Sequence, residues 1–215
     1  DMDTWDLVPL YLYEGKFLFA HGTEFGAHLF RNDTFSVSAL ARYRFTRVQA
    51  GDNPLLIDLE DRDQTLDGGL TAQVRGGWGQ LQADWLTDML GRHEGQEFSL
   101  TYRYRWDLGD LMLSPFITST WQDSNLTGYY YGVSPGEAGP GLPAYQPGSA
   151  NNFTYGINAW YRLTDHVFLF ANAGFTGFDS EIRDSPLMQD SGQTEVFIGA
   201  GYLFGNVRKA DRVPD

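Results

Sequence analysis

The stretch Glu97 to Leu108, "EFSLTYRYRWDL", decides how this chain is read. Phe98, Leu100, Tyr102, Tyr104, Trp106 and Leu108 alternate with Glu97, Ser99, Thr101, Arg103, Arg105 and Asp107. Successive side chains of a strand point to opposite faces, so one face here is apolar and aromatic while the other carries four charges. The same period recurs along the chain. Phe35, Val37, Ala39, Ala41, Tyr43 and Phe45 oppose Ser36, Ser38, Arg42 and Arg44; Val196, Ile198, Ala200 and Tyr202 oppose Glu195, Gly199 and Gly201. The pattern predicts about ten strands, over 6–14, 16–30, 35–46, 65–76, 79–90, 96–107, 111–122, 151–163, 166–178 and 194–204. Pro9 and Pro115 sit in two of them, where a missing N–H weakens a ladder.

The connections fall into two sets. Segments 31–34, 76–79, 107–110 and 163–166 are tight turns; 47–64, 91–95, 123–150 and 179–193 are mostly longer and rich in Gly, Pro, Asp and Ser. The hairpin around Glu14–Lys16 breaks the long series by being short. Short turns at one end and long loops at the other are the pattern of outer-membrane β-barrels. A soluble sandwich also alternates, but it turns its apolar faces inward. Here the opposite faces hold glycine and charge, which suits a narrow lumen. The expected luminal charge network is Arg42, Arg44, Arg75, Arg103, Arg105 and Arg162 facing Asp67, Asp84, Asp88, Glu97 and Asp107. Aromatics near strand ends (Trp5, Trp78, Tyr104, Trp106, Tyr161, Tyr202 and Phe204 at one level, Tyr43, Phe45 and Trp121 at the other) are placed as interface girdles. The expected fold is therefore all-β: an antiparallel transmembrane barrel with short periplasmic turns and longer extracellular loops, filling residues 1–204, followed by a periplasmic tail, 205–215.

Bulk properties agree. The chain has 215 residues, no cysteine and a formal net charge of −13. An acidic surface repels phosphate backbones, so nucleic acid is not an expected partner. No run of ~18 apolar residues is present, so no membrane-spanning helix is expected. A chain opening on Asp1 is expected to be a processed form whose export signal has gone. Nothing in the sequence asks for a cofactor.

Within this frame "YYYGVSPGEAGPGLPAY" (129–145), "DRDQTLDGG" (61–69), "RLTDHVFLFANAGF" (162–175) and "GAGYLF" (199–204) resemble the MipA/OmpV family of MltA-interacting proteins, over about Leu7 to Phe204. The resemblance implies a Gram-negative outer-membrane barrel that acts as a scaffold. Its namesake is associated with a lytic transglycosylase and a murein synthase, and other members with adhesion, osmotic response or antibiotic susceptibility. The chain departs from the family pattern by continuing past Phe204 as "GNVRKADRVPD".

The candidate sites are few. Tyr129, Tyr130, Tyr131, Pro135, Pro143 and Tyr145 make a stiff aromatic loop, read equally as a binding surface and as packing on the barrel mouth. Arg208, Lys209 and Arg212 give the tail a positive charge for an acidic partner. A His93–Glu94–Asp88 cluster could serve a rim enzyme, although adjacency in sequence does not make a base–orienter pair. The acidic run 58–67 offers oxygen ligands for Ca²⁺ but lacks EF-hand spacing and contains Arg62. No catalytic, cofactor or metal site is assigned. The expected function is a non-enzymatic scaffold for murein-related machinery or a subunit of an outer-membrane assembly, in contact with lipid and lipopolysaccharide. The alternative is a small solute or ion channel, against which the luminal charges are read as a plug.

Overall fold

The computed structural model describes residues 12–46 and 59–202. The first part of the expected strand 6–14, most of the loop 47–64, Trp5, Phe204 and the tail with Arg208, Lys209 and Arg212 lie outside the described residues. Twelve strands form one antiparallel sheet. They are β1 (Leu12–Glu14), β2 (Leu18–His21), β3 (Glu24–Arg31), β4 (Phe35–Arg44), β5 (Thr65–Gly76), β6 (Gly79–Asp88), β7 (Gln96–Arg103), β8 (Trp106–Leu108), β9 (Leu111–Gln122), β10 (Ala150–Arg162), β11 (Val167–Gly177) and β12 (Gly192–Tyr202). Neighbours follow chain order, except that β7 and β8 both pair with β9. Two short helices, α1 (Ser124–Tyr131) and α2 (Ser180–Arg183), interrupt the long connections. Among the described residues no helix is long and apolar enough to cross a membrane.

The count differs from the expected ten for two local reasons. Segment 16–30 is two strands, because Gly22 adopts φ +58° and turns the chain back between His21 and Glu24. This extra turn lies at the long-loop end, where the Tyr43 N–H donates to the Thr23 carbonyl. The turn near Glu14–Lys16 therefore belongs to the opposite series from the one expected. Segment 96–107 is broken at Tyr104–Arg105. Its register does not slip: Arg103 faces Phe116 in β7, and Trp106 faces Leu113 in β8. Tyr104 thus falls opposite Pro115, donating to its carbonyl, but proline has no N–H with which to complete the ladder.

Exposure is inverted relative to a soluble protein. Phe98 and Leu100 are 45% and 41% exposed, whereas Glu97 and Ser99, which alternate with them, are each 6%. Leu70, Trp85, Ile117, Tyr155, Val196 and Ile198 likewise point outward. The polar faces are the enclosed ones. The sheet is strongly curved, since Arg42 of β4 reaches Glu97 of β7 across two intervening strands. His21 of β2 and Trp160 of β10 even line one cavity. Trp78, Trp106, Tyr161 and Tyr202 are exposed near one end of the strands, and Tyr43, Phe45 and Trp121 near the other. Tyr104, expected among them, is half-buried.

Inside the curve the one dry cluster among the described residues is Phe19, Leu40 and Leu86. Leu40 and Leu86 flank Gly69 in register. A Cβ at Gly69 would lie 1.8 Å from the Trp85 carbonyl oxygen, a backbone atom that cannot step aside. Gly69→Ala should therefore destabilise the fold by about 3 kcal/mol through overpacking. Gly77→Ala, at an open position, should change stability by no more than about 0.5 kcal/mol. Urea unfolding of both variants in detergent micelles checks the pair.

Candidate functional site

The charged side chains that the sequence pattern assigns to the enclosed face separate into three groups. The first is a compact layer near the long-loop end. Arg42 donates Nε to Glu24 (2.6 Å) and Nη1 to Glu97 (3.2 Å), with Nη2 3.9 Å from Asp84. Arg44 donates Nε and Nη2 to Asp67 (2.9 and 2.6 Å) and Nη2 again to Glu97 (3.0 Å). Gln122 Nε2 adds a hydrogen bond to Glu97 at 3.0 Å. Five strands, β3 to β7, are thereby tied through two guanidiniums. Enclosed charges persist only when paired and hydrogen-bonded in this way.

Arg75 and Arg103 form a second group, deeper toward the short turns, where both line a cavity of about 720 Å³. The mouth of that cavity is ringed by Asp33, Thr34, Gly77 and Asp107. The third group is peripheral. Arg105 pairs with Asp107 at 2.9 Å, and Arg162 pairs with Asp110 beside the turn between β8 and β9. Both lie at the ends of their strands, Arg105 exposed and Arg162 half-exposed, because Pro115 breaks the ladder beside Arg105 and β10 ends at Arg162. Asp88 is set apart too. Its carboxylate accepts the backbone N–H groups of Leu90, His93 and Glu94 at 2.7–3.0 Å and so folds loop 89–95.

His93 is held by both ring nitrogens. The Gly95 N–H donates to Nδ1 (3.0 Å), so Nδ1 carries no proton, and Nε2–H donates to Asp67 (3.0 Å). A His with both nitrogens occupied has no lone pair to offer a substrate. The arrangement ties loop 89–95 to the ionic layer. Asp67, Asp88 and His93 bring ligand atoms within 4.8 Å of one another, the one such grouping among the described residues. Asp67 Oδ1 already accepts the Nε2 proton of His93 and its Oδ2 the Arg44 guanidinium. Along the acidic run, Asp63 pairs with Arg92 and Asp67 with Arg44, so these carboxylates do not converge as a Ca²⁺ cage would require.

Above the ionic layer sits a folded cap that the sequence pattern left as loop. The Asp123 side chain caps α1 by accepting from the Leu126 N–H at 2.9 Å. Asp179 caps α2 in the same way and also accepts from Asn151 N–H. Aspartates placed before Ser-Asn-Leu and Ser-Glu-Ile are the signal that could have located both helices. Leu126, Tyr130, Val133, Leu142 and Ile182 are buried beneath the cap. Tyr130 is enclosed, its hydroxyl within 3.4 Å of Thr65 Oγ1 and of the Asp63 carbonyl. The Tyr129 hydroxyl accepts from the Asp63 N–H at 3.0 Å. Tyr145 donates to the Glu181 carbonyl at 3.0 Å, and Tyr131 is half-buried, its carbonyl accepting from Ser185. Burial raises the hydroxyl pKa of Tyr130 and Tyr131. Of the six loop residues singled out, only Pro135 and Pro143 are exposed.

The residue that sequence reasoning missed is Glu137. Its carboxylate accepts from Ser134 N–H (2.8 Å), Glu60 N–H (3.0 Å) and Arg62 Nη2 (2.7 Å), joining two loops far apart in sequence. Burial alone would raise its pKa, but the Ser134 and Glu60 amides and then Arg62 outweigh it and draw it down to about 2.

With this geometry in hand, the comparisons with known proteins are specific. The family model for MltA-interacting protein MipA matches residues 1–204. The MltA-interacting protein of Escherichia coli K12 is 28% identical over 201 residues, covering 92% of this chain and 81% of that protein. Outer membrane protein OmpV of Vibrio cholerae is 27% identical over 193 residues, covering 86% and 75%. No solved structure matches the chain significantly. The chain belongs to the MipA family and is an outer-membrane protein of the Gram-negative cell envelope.

Glu137 makes the cap sensitive to acid. A carboxylate whose folded pKa lies below its ordinary value of 4.5 stabilises the fold fully above that value. The contribution disappears as pH falls through about 2. Its full size is about 3 kcal/mol. Hydrogen exchange at the Glu60 and Ser134 amides, corrected for intrinsic rate, should accelerate steeply between those pH values. Glu137→Gln should exchange quickly at neutral pH and show no such step.

Proposed function

We propose that the curved sheet closes into a β-barrel spanning the outer membrane, and that it serves as a non-enzymatic scaffold for murein-processing proteins at its periplasmic face. The observation that carries this reading is the inverted exposure: apolar side chains outside, ion pairs inside. In hydrocarbon every backbone polar group needs an internal partner, and a closed sheet supplies one. Strands β4, β5, β6, β9, β10, β11 and β12 are 10–13 residues long, enough to cross the hydrocarbon layer. Residues 1–204 make the barrel domain in this reading, and 205–215 a periplasmic tail.

The short turns 32–34, 77–78, 109–110 and 163–166 then face the periplasm, with Arg208, Lys209 and Arg212 available to an acidic partner. One relative is named for an interaction with MltA, and a partner of that kind is proposed here. Pro135 and Pro143, exposed on the cap, face lipopolysaccharide at the other end. The ionic layer and the cap above it work as a plug, which supports a scaffold over a channel.

Two measurements separate these readings. The full chain should bind solubilised MltA in a pull-down, and the chain lacking 205–215 should bind it less; no binding by the full chain overturns the scaffold. In planar bilayers the wild-type protein should conduct no more than background, and steady conductance would establish the channel instead. Arg44→Ala leaves Asp67 and Glu97 without their shared cation. It should cost about 3–5 kcal/mol in urea unfolding.

A further inference from the structure

We propose that the cavity at the short-turn end is a binding site for a small oxyanion carried on a ring, a carboxylate or a phosphate ester. Its volume of about 720 Å³ lies in the range of small-molecule sites. Its two walls differ in kind. Arg75 of β5 and Arg103 of β7 stand on one side; Met112 of β9 and Trp160 of β10 stand on the other.

Arg103 is the decisive residue. Arg75 gives Nη2 to Gln73 at 2.7 Å, and Arg105 at the rim gives Nε to Asp107. Arg103, by contrast, has no side-chain hydrogen bond or ion pair among the described residues, and its Nε is fully buried without an acceptor. Asp84 acts on it only through space. A half-buried guanidinium with no acceptor is costly. Its Nε is shut off from the cavity, so the two Nη groups are the donors it presents there, and a pair of oxygens on one carboxylate or phosphate satisfies them best. The acidic residues lining the same cavity, Asp33 and Asp107, lie at its mouth, and Asp107 is already engaged by Arg105.

The opposite wall explains the ring. Trp160 packs on Phe168 and Phe170 with centroids 5.1 and 5.4 Å away, and Phe170 packs on Phe197 at 5.3 Å. This aromatic ladder is seated on glycine: a Cβ at Gly199 or Gly201 would lie 2.3 or 2.2 Å from the Phe170 or Phe168 ring. Trp160 is therefore held rigidly where it lines the cavity, an indole suited to packing on an aromatic or sugar ring. A metal cation is disfavoured by the arginines, and a neutral apolar ligand would leave Arg103 unsatisfied. Access is from the short-turn end, because the ionic layer and the cap occupy the other.

The test uses isothermal titration calorimetry on the full chain in detergent micelles with 1-naphthoate, 1-naphthyl phosphate and 1-naphthalenemethanol. The alcohol corrects for partition into the micelle. The two anions should bind at least ten-fold more tightly than the alcohol, and whichever binds better identifies the headgroup. Arg103→Met should erase that ratio while leaving the heat-dependent gel mobility unchanged, and Trp160→Leu should weaken both anions several-fold. Equal binding of anions and alcohol, or an Arg103→Met protein that keeps the ratio, overturns the proposal. Should Arg103→Met fail to fold, Arg103→Lys, which retains charge and loses the fork, replaces it, and an unchanged ratio there overturns the proposal equally. No protein partner enters the experiment, so failure here leaves the scaffold reading standing.

Discussion

Arg44 lies between Asp67 and Glu97, and much of the architecture depends on that shared cation. Asp67 also receives the Nε2 proton of His93, which brings loop 89–95 down onto the strands. Thr65, one turn of the pleat away, approaches both Asp67 and the Tyr130 hydroxyl, which carries the contact into α1. Strand pairing, loop closure and cap seating thus meet at one carboxylate. The exterior imposes this. With Phe98, Leu100 and Ile198 turned outward, the enclosed face has, among the described residues, only Phe19, Leu40 and Leu86 as a buried apolar cluster. Polar interactions must then hold the interior together, and each must be satisfied because the low local dielectric makes an orphan expensive.

The alternation of "EFSLTYRYRWDL" was enough to give the strand type, the inverted faces and the two classes of connection, because a side-chain period of two is a local property. The strand count was not legible in the same way. Pro115 interrupts a strand that it does not belong to, through a cross-strand donor it lacks. Gly22 turns the chain in a segment whose flanking residues alternate well enough to look continuous. Both depend on what lies opposite rather than alongside.

The ionic residues show the same division. Alternation put Arg42, Arg44, Asp67, Asp84 and Glu97 on one face, and the structure brings these five together. It gave Arg105 and Arg162 the same face, but depth along a strand is not written in its period, and these two lie at exposed ends. Glu137 was invisible for another reason. Its partner Arg62 is 75 residues away, and neither loop carries a motif that names the other. The tyrosines of "YYYGVSPGEAGPGLPAY" were read equally as a binding surface and as packing on the barrel mouth, because alternation does not reach into a loop. The hydroxyls of Tyr129, Tyr130 and Tyr145 engage groups of this chain.

A conducting pore needs sites weak enough to leave on the far side as well as to enter on the near side. The enclosed face of this protein is graded differently. Next to the short turns it is roomy, with guanidiniums across from a rigid indole. Further in, Arg42 and Arg44 are already saturated by four carboxylates and have nothing left to offer a passing anion. Beyond them the α1 tyrosines close over the end. An anion drawn toward Arg103 therefore meets increasing negative charge and decreasing space as it advances. Attraction at Arg75 and Arg103 and rejection at greater depth make a blind site, one that exchanges its contents with the same side from which they came. The short turns that ring the mouth are also the surface that a periplasmic partner would meet. In the scaffold reading, the site and the docking surface therefore share one end of the molecule.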